Sequence, residues 1–359
     1  MSVPSRQIDT SPSDMPCLNI VISRYVAEDA GAWDDYVQHH SDSTVFHLSC
    51  WGRIVEQIHG HKNLGLIARS EGKVVGVLPL ALNKTLLFGC GLVSLPFCPY
   101  AGPIAENLEV QSSLLGEAQR LSEQFGAAHF ECRSLSLTSA DAPTQSLYFT
   151  FRKKLSTIHE ENLNAIPRKQ RAMVRKGIKN ELTARPGSVE EFYQLYSDNI
   201  HRHGTPGSPK AFFQKICDEL GENAEISVIQ SKEGLLLTGV LTLYFKREAL
   251  PFYAGDVLQA RDLAANDFKY WAVMQRAVER GADVFDFGRS KKDTGPYHFK
   301  KNWGFEPHQL YYQYFGLKSD SLPENNPLNP KFQLMIAVWR KLPRFFVNWL
   351  GPKVVKGLG

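Results

Sequence analysis

The sequence has few of the features that mark metal-binding or disulfide-bonded proteins. Its six cysteines form no CxxC pair and no spacing typical of a disulfide framework. We therefore expect free thiols in a reducing compartment. Two histidine pairs, His59/His61 and His201/His203, have no cysteine or carboxylate at the spacing of a zinc site, so we expect no metal.

Long apolar runs are also missing. No stretch approaches the ~18 uninterrupted apolar residues of an ordinary membrane span. The first sixteen residues are polar and include three prolines, so we expect a disordered tail over 1–17, no signal peptide and a cytoplasmic protein. A G-x-S-x-G serine elbow is absent, and Cys132 and Cys217 have no adjacent base, which disfavours covalent catalysis.

Outside its C-terminal residues, the chain has only a small net charge. The formal net charge of the 359 residues is +4, but residues 331–359 hold six basic residues and no acidic one. The remaining residues then carry a formal charge of −2. The basic character therefore belongs to the tail and to local patches, which does not suggest a DNA-binding protein.

One apolar, aromatic phrase occurs twice, as LPFCPYAGPI in 95–104 and LPFYAGDV in 250–257. A glycine turn and an apolar run precede each copy, and a helical pattern and a strand ending in an acid and Arg-Ser follow it. The same order of blocks predicts two copies of one α+β unit, over 18–150 and 155–318, followed by a linker and basic tail over 319–359. Each copy should contain a helical segment (around 31–58 and 188–220), antiparallel strands, a long helix and a strand.

The second copy contains more residues suited to binding a ligand or to catalysis than the first. Its last block continues as KKDTGPYHFKKNWGF, with glycines and many bases that suit a phosphate or carboxylate. Aromatic residues there offer surfaces for a sugar or nucleotide ring. The candidate ligand-binding residues of this segment are Arg289, Lys292, Tyr297, Lys301 and Trp303. The alternative is a solvated lysine loop with an aromatic anchor.

The segment 168–185 has seven basic residues and one acidic residue. At helical spacing Arg168, Arg171, Arg175 and Lys179 form one cationic stripe, which favours an anionic partner. The alternative is a solvated helix face.

The order of elements in each copy resembles the GNAT acyltransferase fold, and two such units in tandem resemble the FemAB-like acyl and aminoacyl transferases. The resemblance covers about 18–318. Three segments are similar to the branch associated with exosortase and exopolysaccharide systems: FHLSCWGRIVEQIHGH (46–61), LNAIPRKQRAMVRKGIKN (163–180) and FDFGRSKKDTGPYHFKKNWGFEP (285–307).

This resemblance implies mixed, mostly antiparallel sheets flanked by helices and acyl transfer to an amino group of a cell-envelope or exopolysaccharide precursor. The acceptor would be an anionic small molecule or a lipid-linked or nucleotide-linked sugar. The donor would be acyl-CoA or aminoacyl-tRNA. The resemblance also implies that the helix with the cationic stripe borders the substrate groove.

The chain departs from ordinary GNAT enzymes in one respect. The glycine-rich pyrophosphate loop (R/Q-x-x-G-x-G/A) is absent from DVLQARDLAANDFKYW in 256–271, which disfavours plain coenzyme A. Asn266 and Lys269 are the candidate donor-binding residues, because helix N-termini bind anions. The alternative is a simple helix cap made by Asn266 and Asp267.

Acyl transfer to an amine requires a deprotonated amine, aligned reactants and a stabilised oxyanion. Asp286 is the candidate general base and Asp256 the second choice, while Lys300 or Tyr297 is the candidate oxyanion stabiliser. Tyr253 and Asp256, in the phrase YAGDV, are candidate substrate contacts. Asp286 is equally able to be a structural partner of Arg289. Alternatively, the rate enhancement comes only from holding the two reactants close together, without a general base.

Residues 331–350 read KFQLMIAVWRKLPRFFVNWL and form an amphipathic pattern interrupted by Pro343. A helix with Trp, Phe and bases is typical of an anionic membrane interface, so we expect a peripheral position on the inner face of the cytoplasmic membrane. The alternative is a terminal helix docked on the protein's own core.

Two other function classes stay open. The cationic stripe allows a tRNA-binding or other nucleic-acid-binding protein, although aromatic residues are not interleaved with it. The tail allows a non-catalytic adaptor at the membrane surface in polysaccharide export.

Overall fold

The computed structural model describes residues 19–85, 89–317, 322 and 336–358. Its first half contains β1 (Ile20–Arg24), α1 (Ala30–His39), α2 (Cys50–His59), β2 (Lys62–Asn63), β3 (Leu66–Ser70), β4 (Lys73–Leu78), β5 (Ala81–Thr85), β6 (Gly89–Val93), β7 (Ile104–Ala105), α3 (Leu108–Gln124) and β8 (Phe130–Ser134).

The first half ends with β9 (Thr144–Gln145) and β10 (Tyr148–Lys154). The second half begins with α4 (His159–Asn164), α5 (Arg168–Lys179), β11 (Thr183–Pro186), α6 (Val189–His203), α7 (Lys210–Leu220), β12 (Ala224–Gln230), β13 (Leu236–Phe245) and β14 (Glu248–Asp256). It continues with α8 (Ala265–Glu279), β15 (Val284–Asp286), β16 (Ser290–Lys291), α9 (Gly295–Asn302), β17 (Pro307–Gln309) and β18 (Tyr311–Phe315). The helical segments predicted around 31–58 and 188–220 are each two helices, separated by loops.

Both halves combine antiparallel strands with one parallel pair, but the first half divides its strands between two sheets and the second half has one continuous sheet. In the first half β1, β3 and β4 are antiparallel neighbours, β5 and β6 form a hairpin, and β6 runs parallel to β8. In the second half β11, β12, β13 and β14 are antiparallel neighbours, and β14 runs parallel to β15. The parallel strands are joined by a long helix, α3 or α8, as a parallel crossover requires. The predicted mixed, mostly antiparallel sheets flanked by helices are therefore confirmed.

The two halves exchange their last strands. β10 is the last strand of the first half but pairs with β15 of the second. β18 is the last strand of the second half but pairs with β8 of the first. The boundary predicted between 150 and 155 falls inside β10. The sheet that contains β11–β15 also contains β10, and the sheet that contains β5, β6 and β8 also contains β18. The division into two domains stays a prediction.

Local sequence explains where the main helices begin and end. The Asn107 side chain accepts a hydrogen bond from the Val110 amide and caps α3. Ser188 and Glu191 form a reciprocal capping box at the start of α6. Gly204, at a φ of 71°, ends α6 in the left-handed conformation that favours glycine. These caps fix the direction of the helices that cover the sheets.

The main core joins the halves. It includes Phe46, Trp51 and Tyr100 from the first half, and Phe252 from β14 packs against Phe46 and Trp51 with ring centroids 5.2 and 5.7 Å away. A second core lies under α3, and a third lies around Trp303, α8 and α9. Burial of large aromatic side chains of both halves in one core holds them together.

The described part of the tail packs on the body. It contains a short helical stretch at 336–339 and α10 (Arg344–Val355), which begins directly after Pro343. Trp339, Val347 and Val355 are buried, whereas Trp349 is 59% exposed. Part of the predicted membrane-facing segment, 331–335, lies outside the described residues. Among the described helices, none is long and apolar enough to cross a membrane.

Candidate active site

The parallel strands β14 and β15 form a fork. They pair only at Glu248–Val284 and Ala249–Phe285, and then they separate. The register of β13 against β14 shifts beside Phe252, which is a β-bulge and bends β14. Beyond Ala249, the backbone groups of β14 that point towards β15 are therefore outside the ladder. The fork lies between residues 250–256 and 286–290.

Asp286 lies at the base of the fork with no exposed surface. One carboxylate oxygen accepts hydrogen bonds from the Thr150 hydroxyl at 2.5 Å and the Gly288 amide at 2.7 Å. The other accepts from the Tyr100 hydroxyl at 2.7 Å and lies 3.6 Å from Nε of Arg152. These donors occupy the acceptor sites of the carboxylate. The geometry gives Asp286 the role of a junction between β15, β10 and the first half.

Lys300 lies beside this junction and is 8% exposed. Its ammonium donates to the carbonyl oxygens of Gly288 at 2.8 Å and Arg289 at 3.2 Å. Burial lowers the pKa of Lys300 to about 7, against the opposing effect of the Asp286 charge, and Arg289 lowers it further. Lys300 thereby holds the loop that leaves β15, where Gly288 has a φ of 73°.

The predicted ring-binding surfaces are packed inside the protein instead. The Tyr297 ring meets those of Phe149 and Phe151 edge-on, with centroids 5.6 and 5.2 Å away. Trp303 has no exposed surface, and its Nε1 donates to Asp267 at 3.0 Å. Neither ring offers a free face to a sugar or nucleotide. The exposed cations of the same segment are Arg289, Lys292 and Lys301.

The structure brings Asp256 and the two donor-binding candidates together at the N-terminus of α8. Asn266 donates to Asp256 at 2.9 Å, and Lys269 donates to Asn266 at 3.0 Å. Asn199 also donates to Asp256 at 2.7 Å, and Arg202 forms an ion pair with it. Burial raises the pKa of Asp256, but the hydrogen bonds from Asn266 and Asn199 and the nearby cations outweigh burial, so its pKa lies below the usual value.

This network places charged groups of both signs at the N-terminus of α8. The free amides at a helix N-terminus attract anions. Here the first turn of α8 already contains the carboxylate of Asp267, and Asp256 is held beside it. Arg202 pairs with Asp256, and the ammonium of Lys269 interacts with both carboxylates, so the two carboxylates at this end are accompanied by two cations.

The cationic stripe lies on a well-formed helix. α5 packs on α8 through Val174 and Gly177, and a Cβ at Gly177 would lie 2.7 Å from Phe268. Arg168, Arg175 and Lys179 are exposed. Arg171 donates to the carbonyl of Asn164 at 3.0 Å and is half-buried. Tyr253 lies elsewhere, half-buried in an aromatic cluster with Tyr196, Phe212, Phe213 and Phe252.

Sequence reasoning missed the residues that surround Asp286. Tyr100 lies in the repeated segment 95–104, and the repeat could have indicated its importance. Thr150 and Arg152 lie in the exchanged strand β10, where no sequence pattern indicated a site. Arg152 also forms an ion pair with Glu248. Burial and the Asp286 charge raise the pKa of Glu248 to about 7, although Arg152 lowers it.

Residues 162–301 match the family model described as an acetyltransferase (GNAT) domain. This part of the chain is similar to GNAT acetyltransferase domains. Such a domain implies acyl-CoA or a related donor. A search of curated proteins finds no matching sequence. Among the described residues, no group of three or more His, Cys, Asp or Glu side chains could hold a metal ion.

Solved structures show the same fold at low sequence identity. The crystal structure of FemX has a TM-score of 0.62 at 16% identity, over 88% of this chain and 100% of that one. The C-terminal domain of a putative lysylphosphatidylglycerol synthetase from Agrobacterium fabrum has a TM-score of 0.56 at 15% identity, over 87% and 96%. A tandem GNAT protein from the clavulanic acid biosynthesis pathway has a TM-score of 0.52 at 13% identity, over 84% and 100%. The predicted tandem GNAT-like fold is confirmed, and the link to exosortase systems stays a prediction.

Proposed function

We propose that the protein transfers an acyl or aminoacyl group to an amino group of a cell-envelope or exopolysaccharide precursor. The observation that supports this most is the fork between β14 and β15, closed at its base by Asp286 and flanked by Lys300. The match of 162–301 to a GNAT domain supports acyl transfer. Similarity to a lysylphosphatidylglycerol synthetase domain is in keeping with an envelope acceptor.

The proposed reaction is a direct displacement. The neutral amine attacks the carbonyl carbon of the donor, a C–N bond forms, and the bond from that carbon to the ester oxygen or thioester sulfur breaks. The amine proton leaves with the oxygen or sulfur. The edge of β14 supplies amides to the carbonyl oxygen, which is the arrangement that stabilises an oxyanion.

Lys300 adds positive charge at this point. An ammonium has three donors, and two of them bind the carbonyls of Gly288 and Arg289. We propose that the third donates to the carbonyl oxygen of the donor. Because the ammonium form is needed and the pKa of Lys300 is about 7, the activity should fall as pH rises through about 7. Asp286 then acts as a positioning residue and not as the general base.

We propose an aminoacyl ester of tRNA as the donor. The segment before α8 lacks the glycine-rich pyrophosphate loop of enzymes that use coenzyme A. The exposed cations of α5, Arg168 and Arg175, would attract a polynucleotide backbone, and α5 packs directly on α8. The same cations favour the second candidate, a tRNA-binding protein without transferase activity.

We propose a peripheral position at an anionic membrane. Trp349 and Val338 are 59% and 52% exposed, and Lys353 lies 3.7 Å from the Trp349 ring centroid. An exposed tryptophan beside a base is typical of a membrane-interface anchor. The burial of Trp339 and Val347 shows that another face of the tail holds it to the body.

The test is a transfer assay with isotope-labelled donors. Purified protein is incubated with labelled aminoacyl-tRNA or labelled acetyl-CoA and with an amine-bearing nucleotide sugar or aminolipid vesicles, and the product is identified by mass spectrometry. Lys300→Met should lower kcat by about 10²- to 10³-fold, as loss of an oxyanion donor does. Lys232→Met, at a surface lysine paired with Glu181, is the control. Binding of tRNA with no product from any donor would favour the second candidate, and full activity of Lys300→Met would remove Lys300 from the mechanism.

A further inference from the structure

The described part of the C-terminal tail, 336–358, lies against the second half at the end of α6. Nε2 of His201 donates to the Leu342 carbonyl at 3.0 Å. The Arg340 guanidinium donates to the His203 carbonyl at 3.3 Å. α10 packs on α6 as well. One of the two histidine pairs in the sequence therefore belongs to the surface on which the tail is docked.

The far end of the tail lies on the first half, at the other histidine pair. The last described turn, Lys356–Leu358, packs on β5. His61 forms a hydrogen bond with the backbone of Lys356. His59 and His61 are each 2% exposed, and both rings stack on Phe97 with centroids 3.9 and 6.1 Å away. The tail therefore connects the two halves through residues of both histidine pairs.

The contact between tail and body contains polar atoms without partners. Within the described ranges, seven buried side-chain atoms lack a hydrogen-bond partner, and three of them are Nε2 of His59, Nε2 of His61 and Nε1 of Trp339. A buried polar atom without a partner destabilises the state in which it is buried. Release of the tail would give these three atoms access to water. This gain opposes the burial of apolar side chains and favours an equilibrium between a docked and a released tail.

Protonation adds a repulsive charge at the same place. Among the described residues, the titratable groups that act on His59 are His61 and Lys356, and the group that acts on His61 is Lys356. Burial, together with these groups, lowers the pKa of His59 to about 3. Burial and the Lys356 charge, against the hydrogen bond with the Lys356 backbone, lower the pKa of His61 to about 4. A released tail returns both pKa values towards 6.5, so the released form binds protons that the docked form does not. Release therefore becomes more favourable as the pH falls below about 6.5.

We propose that protonation of His59 and His61 releases the tail from the body of the protein. In the docked position, the tail keeps Trp339, Val347 and Val355 buried. In the released position, it presents these side chains together with its bases, a combination that binds an anionic membrane interface. The tail is then the element with two positions, and the proton is the signal that shifts it from one to the other. The membrane step rests on the peripheral position proposed above, whereas the release itself does not.

The experiment measures amide hydrogen exchange in α10 by mass spectrometry at about pH 7.5 and about pH 5.5, with each rate corrected for the intrinsic effect of pH. The full chain is used without membrane or donor. Each histidine should favour release about tenfold more at the lower pH, so the protection of α10 should fall about 100-fold in the wild type. The fall should be about tenfold in His59→Phe and absent in His59→Phe/His61→Phe. His201→Gln keeps a donor for the tail, is the matched control and should retain the 100-fold fall.

Exchange by release must be separated from exchange by global unfolding. At both pH values α10 should be at least tenfold less protected than β13, because release leaves the sheet intact. Equal protection of α10 and β13 overturns the proposal. Protection of α10 that does not change with pH in the wild type overturns it too, as does a double variant that retains the 100-fold fall.

The single variant keeps the experiment decisive if the double variant cannot dock its tail. If α10 of the double variant is unprotected at both pH values, the smaller fall expected in His59→Phe supports the proposal, and an unchanged 100-fold fall overturns it. Because neither membrane nor donor is present, a missing transferase activity or missing vesicle binding counts against the proposed function and not against release of the tail.

Discussion

A buried histidine beside the tail makes the stability of the protein sensitive to pH. His59, at the end of α2, is 2% exposed and stacks on Phe97 with ring centroids 3.9 Å apart. Its Nε2 has no hydrogen-bond partner within the described ranges. Burial, together with the nearby His61 and Lys356, lowers the pKa of His59 from 6.5 to about 3. The folded protein therefore keeps His59 neutral where the unfolded chain protonates it.

The size of the effect follows from the unfolded state. Between about pH 7.5 and pH 5.5, an unfolded histidine with a pKa of 6.5 gains about 1.4 kcal/mol from protonation, and folded His59 gains almost nothing. Since the folded pKa is depressed, the unfolded state binds more protons and stability falls as pH falls. His59→Phe removes this loss and keeps the stacked ring. As the pH is lowered from about 7.5 to about 5.5, the free energy of unfolding of His59→Phe should rise by about 1.4 kcal/mol relative to that of the wild type.

Urea unfolding at the two pH values measures this difference, and other titrating groups cancel because they occur in both proteins. His39→Gln, at a histidine whose side chain is 78% exposed, is the control and should follow the wild type. A stability difference between His59→Phe and wild type that is the same at both pH values would refute the argument.

Three further predictions concern packing, hydrogen bonding and the tail. Gly255→Ala should destabilise the protein by about 1–3 kcal/mol, because the added Cβ would lie 2.4 Å from the Tyr196 backbone. The control is Gly116→Ala, whose added Cβ would have no atom within 4 Å. Thermal denaturation should show this control to be as stable as the wild type or more stable. Thr150→Val should lower the free energy of unfolding by about 1–3 kcal/mol, because the hydrogen bond to Asp286 is lost. Thr242→Val should lower it little, because the Thr242 hydroxyl has no partner in the part of the chain that the structure describes. Equal losses of stability in the two variants would contradict this prediction. Trp349→Ser should reduce co-sedimentation with anionic liposomes without lowering the melting temperature, and unchanged co-sedimentation would reject the membrane role.

The repeat allowed much of the fold to be predicted from local patterns. Glycine turns, apolar runs and the helical pattern before Gly281 gave the strands and α8 near their observed positions. The exchange of β10 and β18 was not predictable in this way. The apolar pattern of YFTFRKK is the same whichever sheet the strand joins, so its partner depends on contacts far away in sequence.

Some residues of the candidate site could likewise be predicted from the sequence, and others could not. A loop rich in bases after β15 led to Asp286, Arg289 and Lys300, which the structure brings together. The aromatic residues were harder to place. Trp303 was expected to face a ligand, but Phe287 and Tyr270 lie around it, with ring centroids 5.8 and 6.2 Å away, and the side chain is enclosed. A sequence shows that a ring is present and not which surface it meets.

The crossing of β10 and β18 links the fates of the two halves. A fragment starting at residue 155 would lack the strand that lies beside β15, together with the hydroxyl of Thr150 and the guanidinium of Arg152 that hold Asp286. The first half without β18 would in turn lose the neighbour of β8. Each half therefore needs a strand from the other to complete its sheet, and a change in β10 acts directly on the residue at the base of the fork.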